Sequence, residues 1–371
     1  MKRCKKCLMP DTRPGSQFDE EGVCLACNNY AKRPVVDWSI RDRELRVLAQ
    51  SVQVNRTSLS DYDCAIAVSG GKDSHYITKI LVEDMGLKCL LITAGDSFTL
   101  TKAGAHNIRN LREVFNCDQI QFKISDDLFR RTVDKSFRSN GWPLRFIESV
   151  IYTMPVKIAY KMGVPLIFYG ENGSYDYGAT NEETASALDH VYRNHESLKD
   201  PYWSYDPIGI EDEEIVPLLL PPREELEKQL QVQFMGYYKP WDSVHHLEVA
   251  RRYGFHDLAH EWDREGYQDN FEQIDSVAYL MQLWMKYPVF GFQRVADIVS
   301  RRIRQGRLGL EEGKKIIREN DPILDQLALR DFCNLLKYSE KEFWDIVEFH
   351  WNRDILEKVD GVWKMKEEFL P

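Results

Sequence analysis

The chain has 371 residues, 43% of them hydrophobic and 12% aromatic, enough to bury a sizeable core in two or three domains. A formal net charge of −10 excludes a surface wholly committed to nucleic acid and leaves small acidic substrates open. No run of about 18 apolar residues is present, and the opening "MKRCKKCLMP" lacks the apolar middle of a secretion signal, so the expectation is a cytoplasmic protein with no membrane insertion.

The first element is a pair of Cys-x-x-Cys turns, Cys4 with Cys7 and Cys24 with Cys27, separated by 16 residues. Two residues between ligands let one tight turn aim both sulfurs at one ion, and four thiolates suit a closed tetrahedral Zn2+ site. Lys2, Arg3, Lys5 and Lys6 favour thiolate over thiol. Two disulfides or a redox pair are the alternatives; the cytoplasmic expectation disfavours the first and the lack of a flanking βαβ pattern the second. A closed site has no open position, so its role is architectural. Cys64, Cys89, Cys117 and Cys333 stand alone and read as small buried hydrophobes.

After this knuckle the pattern predicts a linking helix near 37–54, then a polar "NRTSLSDY". "CAIAV" from Cys64 reads as a strand buried on both faces. "HYITKILVEDMG" carries Ile77, Ile80, Leu81 and Met85 on one helical face and stops at Gly86. "KCLLITAG", "DQIQFKI" and "PLIFYGEN" are further strands, alternating with the helices "AGAHNIRNLREVFN" and "ESVIYTMPVKIAYKMG". The alternation predicts an α/β fold, a doubly wound parallel sheet. From Tyr175 to Tyr205 a polar, aromatic insertion interrupts it, and the last third reads as helical. The expected organisation is a knuckle at 1–34, a linking helix at 35–60, an α/β domain at 61–240 with an insertion near 175–205, and a helical region at 241–371.

The chemistry concentrates in "AVSGGKDSHY", where a strand gives way to a helix. Gly70 and Gly71 let the backbone turn sharply and let a ligand approach it. The helix N-terminus then offers free amides to a phosphate, while Lys72 neutralises charge and Ser69 and Ser74 offer hydroxyls. A plain turn capped by Asp73 or Ser74 is the bland alternative. The string does not follow the Walker pattern. It resembles the PP-loop of the ATP-pyrophosphatase superfamily, whose members bind ATP on such a sheet and cleave between its α and β phosphates. That resemblance implies that Ser69, Gly70, Gly71, Lys72, Asp73 and Ser74 grip phosphates, with Thr93 or its neighbours near the adenosine.

"CKKCLMPDTRP", "GVCLACNNY", "YGEN" and "FMGYYKPWD", in that order around the loop, resemble the N-acetyl sugar amidotransferases of bacterial surface-polysaccharide (LPS) biosynthesis. The family implies an AMP-forming reaction that turns a sugar acetamido group into an acetamidino group, with ammonia from a separate glutaminase. It implies ATP, Mg2+ and Zn2+ as cofactors and Lys72, Asp73 and Glu171 as catalytic residues, with Gly170 beside the nucleotide and Asn172, Tyr237, Tyr238 and Trp241 near the sugar. An aromatic core cluster is the alternative for Tyr237, Tyr238 and Trp241. Arg301, Arg302, Arg304 and Arg307 read as a solvated helix face. Two other functions stay open: a tRNA-modifying thiolase or lysidine-type synthetase, disfavoured by the acidic chain and the lack of further Cys-x-x-Cys pairs, and a non-catalytic zinc-ribbon adaptor, disfavoured by the intact SGGKDS.

Overall fold

Five strands form one parallel sheet in the order β3-β2-β1-β4-β5. They are β1 (Cys64–Ala67), β2 (Cys89–Ala94), β3 (Asp118–Phe122), β4 (Leu166–Tyr169) and β5 (Gln231–Phe234). The structure, a computed structural model, describes residues 1–54, 60–203 and 209–371. The first five residues of the predicted polar linker, 55–59, and the last residues of the predicted insertion, including Tyr205, lie outside the described residues.

Strand periodicity splits the central strands between two cores. Cys64 and Ile66 of β1, Cys89 and Leu91 of β2, and Leu166 and Phe168 of β4 face one side; Ala65, Leu90, Ile92 and Ile167 face the other. Both sets are apolar because both faces are covered. Over the first lie α2 (Trp38–Val54), α3 (Lys72–Lys79), continued by a π turn at Ile80–Asp84, and α4 (Lys102–Val114). Over the second lie α6 (Arg145–Lys161) and the helix Leu188–Leu198. The short helix α1 (Leu25–Lys32) follows the second cysteine pair.

A third core joins α5 (Asp126–Asn140) and α6 to helices near the C-terminus, with Phe129, Phe137, Phe332 and Phe343 fully buried at its centre. Phe137 stacks on Phe343 at 5.3 Å between ring centroids. The predicted helices of the last third appear as Tyr279–Trp284, Arg294–Arg304, Leu310–Asn320 and Glu340–Glu348. The expectation that this third is helical needs one correction. Strands β6 (Leu356–Val359) and β7 (Val362–Met365) form an antiparallel hairpin, closed by Asp360 and Gly361, both at positive φ, the signature of a two-residue type I′ turn. Neither α5, β5 nor the helix Gln326–Leu336 was anticipated.

The C-terminal region also grips the rim of the sheet. Thr101 caps α4, its Oγ1 accepting from the Gly104 N–H at 2.8 Å while donating to the Ile274 carbonyl at 2.5 Å. A Cβ on Gly104 would fall 2.4 Å from the Asp275 carbonyl oxygen. Alanine there improves helix propensity by about 1 kcal/mol, but overpacking against backbone costs about 1–3 kcal/mol. Gly104→Ala is therefore expected to lower the urea midpoint; an unchanged midpoint would mean that the 274–276 segment moves freely. Among the described residues, no helix is long and apolar enough to cross a membrane.

Candidate functional site

The loop after β1 is built for close approach. Gly70 sits at φ +92°, and a Cβ there would lie 2.9 Å from the Ile108 backbone nitrogen on α4. Ser69 and Ser74 brace the turn: the Ser69 N–H donates to Ser74 Oγ at 3.1 Å, and the Gly71 N–H donates to Ser69 Oγ at 3.3 Å. Gly71 is the extended N-cap of α3, whose first-turn amides have no intrahelical acceptor and carry the positive end of the helix dipole.

Lys72 is buried, with its Nζ 2.8 Å from Asp73 Oδ2 and 3.5 Å from Glu272 Oε1. Burial opposes its charge, yet the two carboxylates hold its pKa above the usual lysine value. Burial likewise opposes ionised Asp73, but Lys72 and His246 keep its carboxyl below the usual range. His246 Nδ1 lies 2.6 Å from Asp73 Oδ1, and the fully buried ring stacks on Tyr76 at 3.9 Å. His246 comes from the helix Ser243–Arg252, capped by Asp242.

The chain leaving β4 meets the chain leaving β5, as neighbouring parallel strands require. The Gly236 N–H donates to the Gly170 carbonyl at 3.1 Å, and the Trp241 ring lies against Gly170, where a Cβ would meet it at 3.2 Å. Asn172 is turned inward, its Oδ1 accepting from the Tyr175 N–H at 3.3 Å. Glu171 points outward and stays open to the cleft. Partial desolvation by surrounding protein, with repulsion from Asp73, pushes its carboxyl up to about 7.

Two cavities meet at Glu171. The smaller, about 60 Å³, is walled by Tyr30, Tyr177, Trp241, Arg301 and Arg304. The larger, about 340 Å³, has Arg13, Lys286 and Arg294 as cations and Trp142 and Tyr279 among its aromatic walls. Its volume falls in the range of small-molecule sites. Glu148, pushed up to about 6 by burial, and Asp297, held at about 2 by Arg13 and Lys286 against its burial, also line it.

The other predicted residues fall elsewhere. Tyr237 packs under Arg41 of α2, whose guanidinium lies 3.4 Å from the ring centroid. Tyr238 is buried, with its hydroxyl donating to Gln233 at 2.9 Å. Thr93, at the end of β2, accepts from Gln119 at 3.4 Å. None of these three lines either cavity, and neither do Ser69–Ser74.

The four knuckle cysteines converge as their spacing predicts. All four sulfurs lie within 4.8 Å of one another and are buried, with Cys4–Cys27 at 3.8 Å and Cys7–Cys24 at 3.5 Å. A tetrahedron with zinc–sulfur bonds of about 2.3 Å has edges of about 3.8 Å. Four buried thiolates so close repel one another unless a cation sits between them, so the donor set fits zinc. Arg304 Nη1 donates to Cys7 Sγ at 3.5 Å and offsets the residual negative charge. The knuckle reaches both cavities: Arg13 pairs with Asp297 and lies over Tyr177 at 4.1 Å, while Asn29 donates to the carbonyls of Tyr175 and Thr180.

The solvated reading is overturned for Arg301, Arg302 and Arg304, while Arg307 stays exposed. Arg301 pairs with Glu272 at 2.6 Å, Arg302 with Asp269 and Arg307 with Asp242 at 2.8 Å, and Arg304 faces the cysteines. The carboxylates they meet are distant in sequence, so spacing could not reveal them. His246 had one local signal, its place four residues after the helix cap Asp242.

No curated protein sequence matches the chain. Residues 265–369, which carry Glu272, Arg294, Arg301 and Arg304, match the family model described as LPS biosynthesis protein WbpG-like, C-terminal domain, and this similarity supports the LPS-biosynthesis part of the sequence expectation.

Proposed function

We propose that the protein is an ATP-dependent N-acetyl sugar amidotransferase of LPS biosynthesis, acting in the cytoplasm with a PP-loop-type nucleotide site. The acetamido oxygen of a sugar, probed first as a nucleotide-linked sugar, attacks the α phosphorus of ATP and pyrophosphate leaves. Ammonia from a separate glutaminase then adds to the imidate carbon, and AMP departs with the oxygen, leaving an amidine. The observation that carries this reading is Glu171, which is shared by both cavities and electrostatically coupled to Asp73 and Lys72 of the loop. Two substrates can thus meet at one carboxylate.

The residues then divide the work. Lys72 and the first amides of α3 stabilise charge building on the leaving pyrophosphate. Asp73, kept ionised and oriented by His246, suits Mg2+, which supplies charge neutralisation to the triphosphate. Trp241 offers an aromatic face to the sugar. Glu171, titrating near 7, accepts the proton that ammonia loses on forming the amidine.

The test is pyrophosphate release from ATP with magnesium, ammonium and UDP-N-acetyl sugars. At a fixed concentration of free NH3, the wild-type rate is expected to rise with pH through about 7, as Glu171 deprotonates, and then level. Glu171→Gln should lower turnover by about 10²-fold or more and abolish that rise. Release that required tRNA instead of sugar would sink the reading, and an intact pH rise in Glu171→Gln would remove Glu171 from the proton transfer.

A further inference from the structure

Glu272 is a buried carboxylate held among converging cations. It is 4% exposed, with Oε1 at 2.6 Å from Arg301 and 3.5 Å from Lys72 Nζ, and Oε2 paired with Arg294. The cations come from two elements far apart in the chain, the loop at the N-terminus of α3 and the helix Arg294–Arg304. Other carboxylates compensate them only in part. Asp73 faces Lys72 but is shared with His246; Asp269 is 3.8 Å from Arg301 but pairs with Arg302; Asp297 is 3.9 Å from Arg294 but pairs with Arg13 and Lys286.

Donors remain in excess. Arg294 is 6% exposed, and its Nε has no hydrogen-bond partner. Arg264, 9% exposed, holds the carbonyls of Glu272 and Gln273 through Nη1, yet its Nε and Nη2 have none. Buried guanidinium N–H groups are rarely left unpaired, and here the unpaired ones belong to Arg294, which pairs with the Glu272 carboxylate, and to Arg264, which holds the backbone beside it. Gln273, next to Glu272, sits at φ +45°, a backbone region costly for a side-chain-bearing residue. The segment that delivers Glu272 is thus held in place against a local preference.

We propose that Lys72, Arg294 and Arg301 form a polyphosphate clamp in which Glu272 is the resident counter-ion, displaced when the pyrophosphate end of a nucleotide arrives. Naming that ligand a nucleotide rests on the reading of Ser69–Ser74 given above. A carboxylate presents two oxygens to the guanidinium forks as a phosphoryl group does, and pyrophosphate brings more oxygens and more charge to the same donors. The exchange also explains why the loop lines neither cavity: Glu272 stands between Lys72 and the two arginines, of which Arg294 lines the larger cavity and Arg301 the smaller. Gln273 lines the larger cavity too, so displacing Glu272 reshapes the wall facing the second substrate.

The experiment titrates inorganic pyrophosphate into the full-length zinc-loaded protein by calorimetry, with thermal melts in parallel. Glu272→Gln is expected to bind pyrophosphate at least tenfold more tightly than wild type and to gain more in melting temperature from it. Arg301→Gln should bind at least tenfold more weakly, with partial recovery in Arg301→Lys. Glu272→Asp, which keeps the charge but shortens its reach, should shift affinity the same way as Glu272→Gln and serves if the latter does not fold. Pyrophosphate binding no tighter in either Glu272 variant, or unchanged in Arg301→Gln, overturns the clamp and leaves a structural ion network. MgATP separates the two readings. If Lys72→Ala loses ATP binding while the Glu272 variants leave pyrophosphate affinity unchanged, the nucleotide loop stands and the clamp falls. If pyrophosphate affinity follows Glu272 and Arg301 but ATP does not bind, the clamp stands and the nucleotide reading falls.

Discussion

Lys72→Ala is expected to reduce ATP-dependent pyrophosphate release by about 10³-fold or more while leaving the zinc content unchanged. Its ammonium group is a buried positive charge at the mouth of a helix N-terminus, where a donor aimed at developing phosphoryl charge contributes about 10²–10³ in rate; loss of phosphate binding adds to that. The fold should tolerate the change. Glu272 keeps Arg294 and Arg301, and Asp73 keeps His246, so neither carboxylate is left buried and unpaired. Turnover, metal analysis and a thermal melt on the same preparation decide it. Retained turnover would exclude this loop from the chemistry, and loss of zinc or of the folded baseline would make the effect structural.

Removing the metal should be as damaging by a different route. Structural zinc in small domains contributes about 10 kcal/mol or more of folding free energy, and the knuckle core holds little besides the cysteines, Met9, Val23 and Ala26. Cys24→Ser, or stripping with a strong chelator, is expected to melt residues 1–34 locally, seen as new proteolytic cleavage there. Turnover should fall even though every residue of the Ser69–Ser74 loop remains. Arg13 would leave Asp297 and the wall of the larger cavity, Asn29 would release Tyr175 and Thr180, and Arg304 would lose its sulfur partners. Proteolysis and turnover unchanged after complete metal removal would show that the four sulfurs are held by packing alone.

The readable features were those whose cause is local. Strands β1, β2 and β4 announce themselves because burial on both faces demands near-continuous apolar runs. The knuckle is legible because a metal dictates ligand spacing. The glycine turn after β1 is legible because only glycine serves at Gly70, against the backbone of α4. β5 is four residues long, its alternation too brief to outweigh the aromatic run after it, while the Asp360–Gly361 turn was a real hairpin signal inside a helical-looking context. Tyr237 and Trp241 belong to one quoted motif, yet one packs under Arg41 and the other lines a cavity, a distinction that composition cannot make.

The sequence by itself determined the α/β alternation, the four-sulfur cluster and the tight glycine turn from strand to helix, because periodicity, ligand spacing and backbone freedom act over a few neighbouring residues. Only the tertiary structure decided which charges meet. Glu272 reaches Lys72 across 200 positions of chain, the arginines of Arg294–Arg304 turn from solvent to carboxylates and cysteines, and Glu171 becomes the carboxylate shared by two cavities. Coulombic and hydrogen-bond partnerships depend on distance in space, and that distance is set by how the knuckle, the sheet rim and the C-terminal helices pack together.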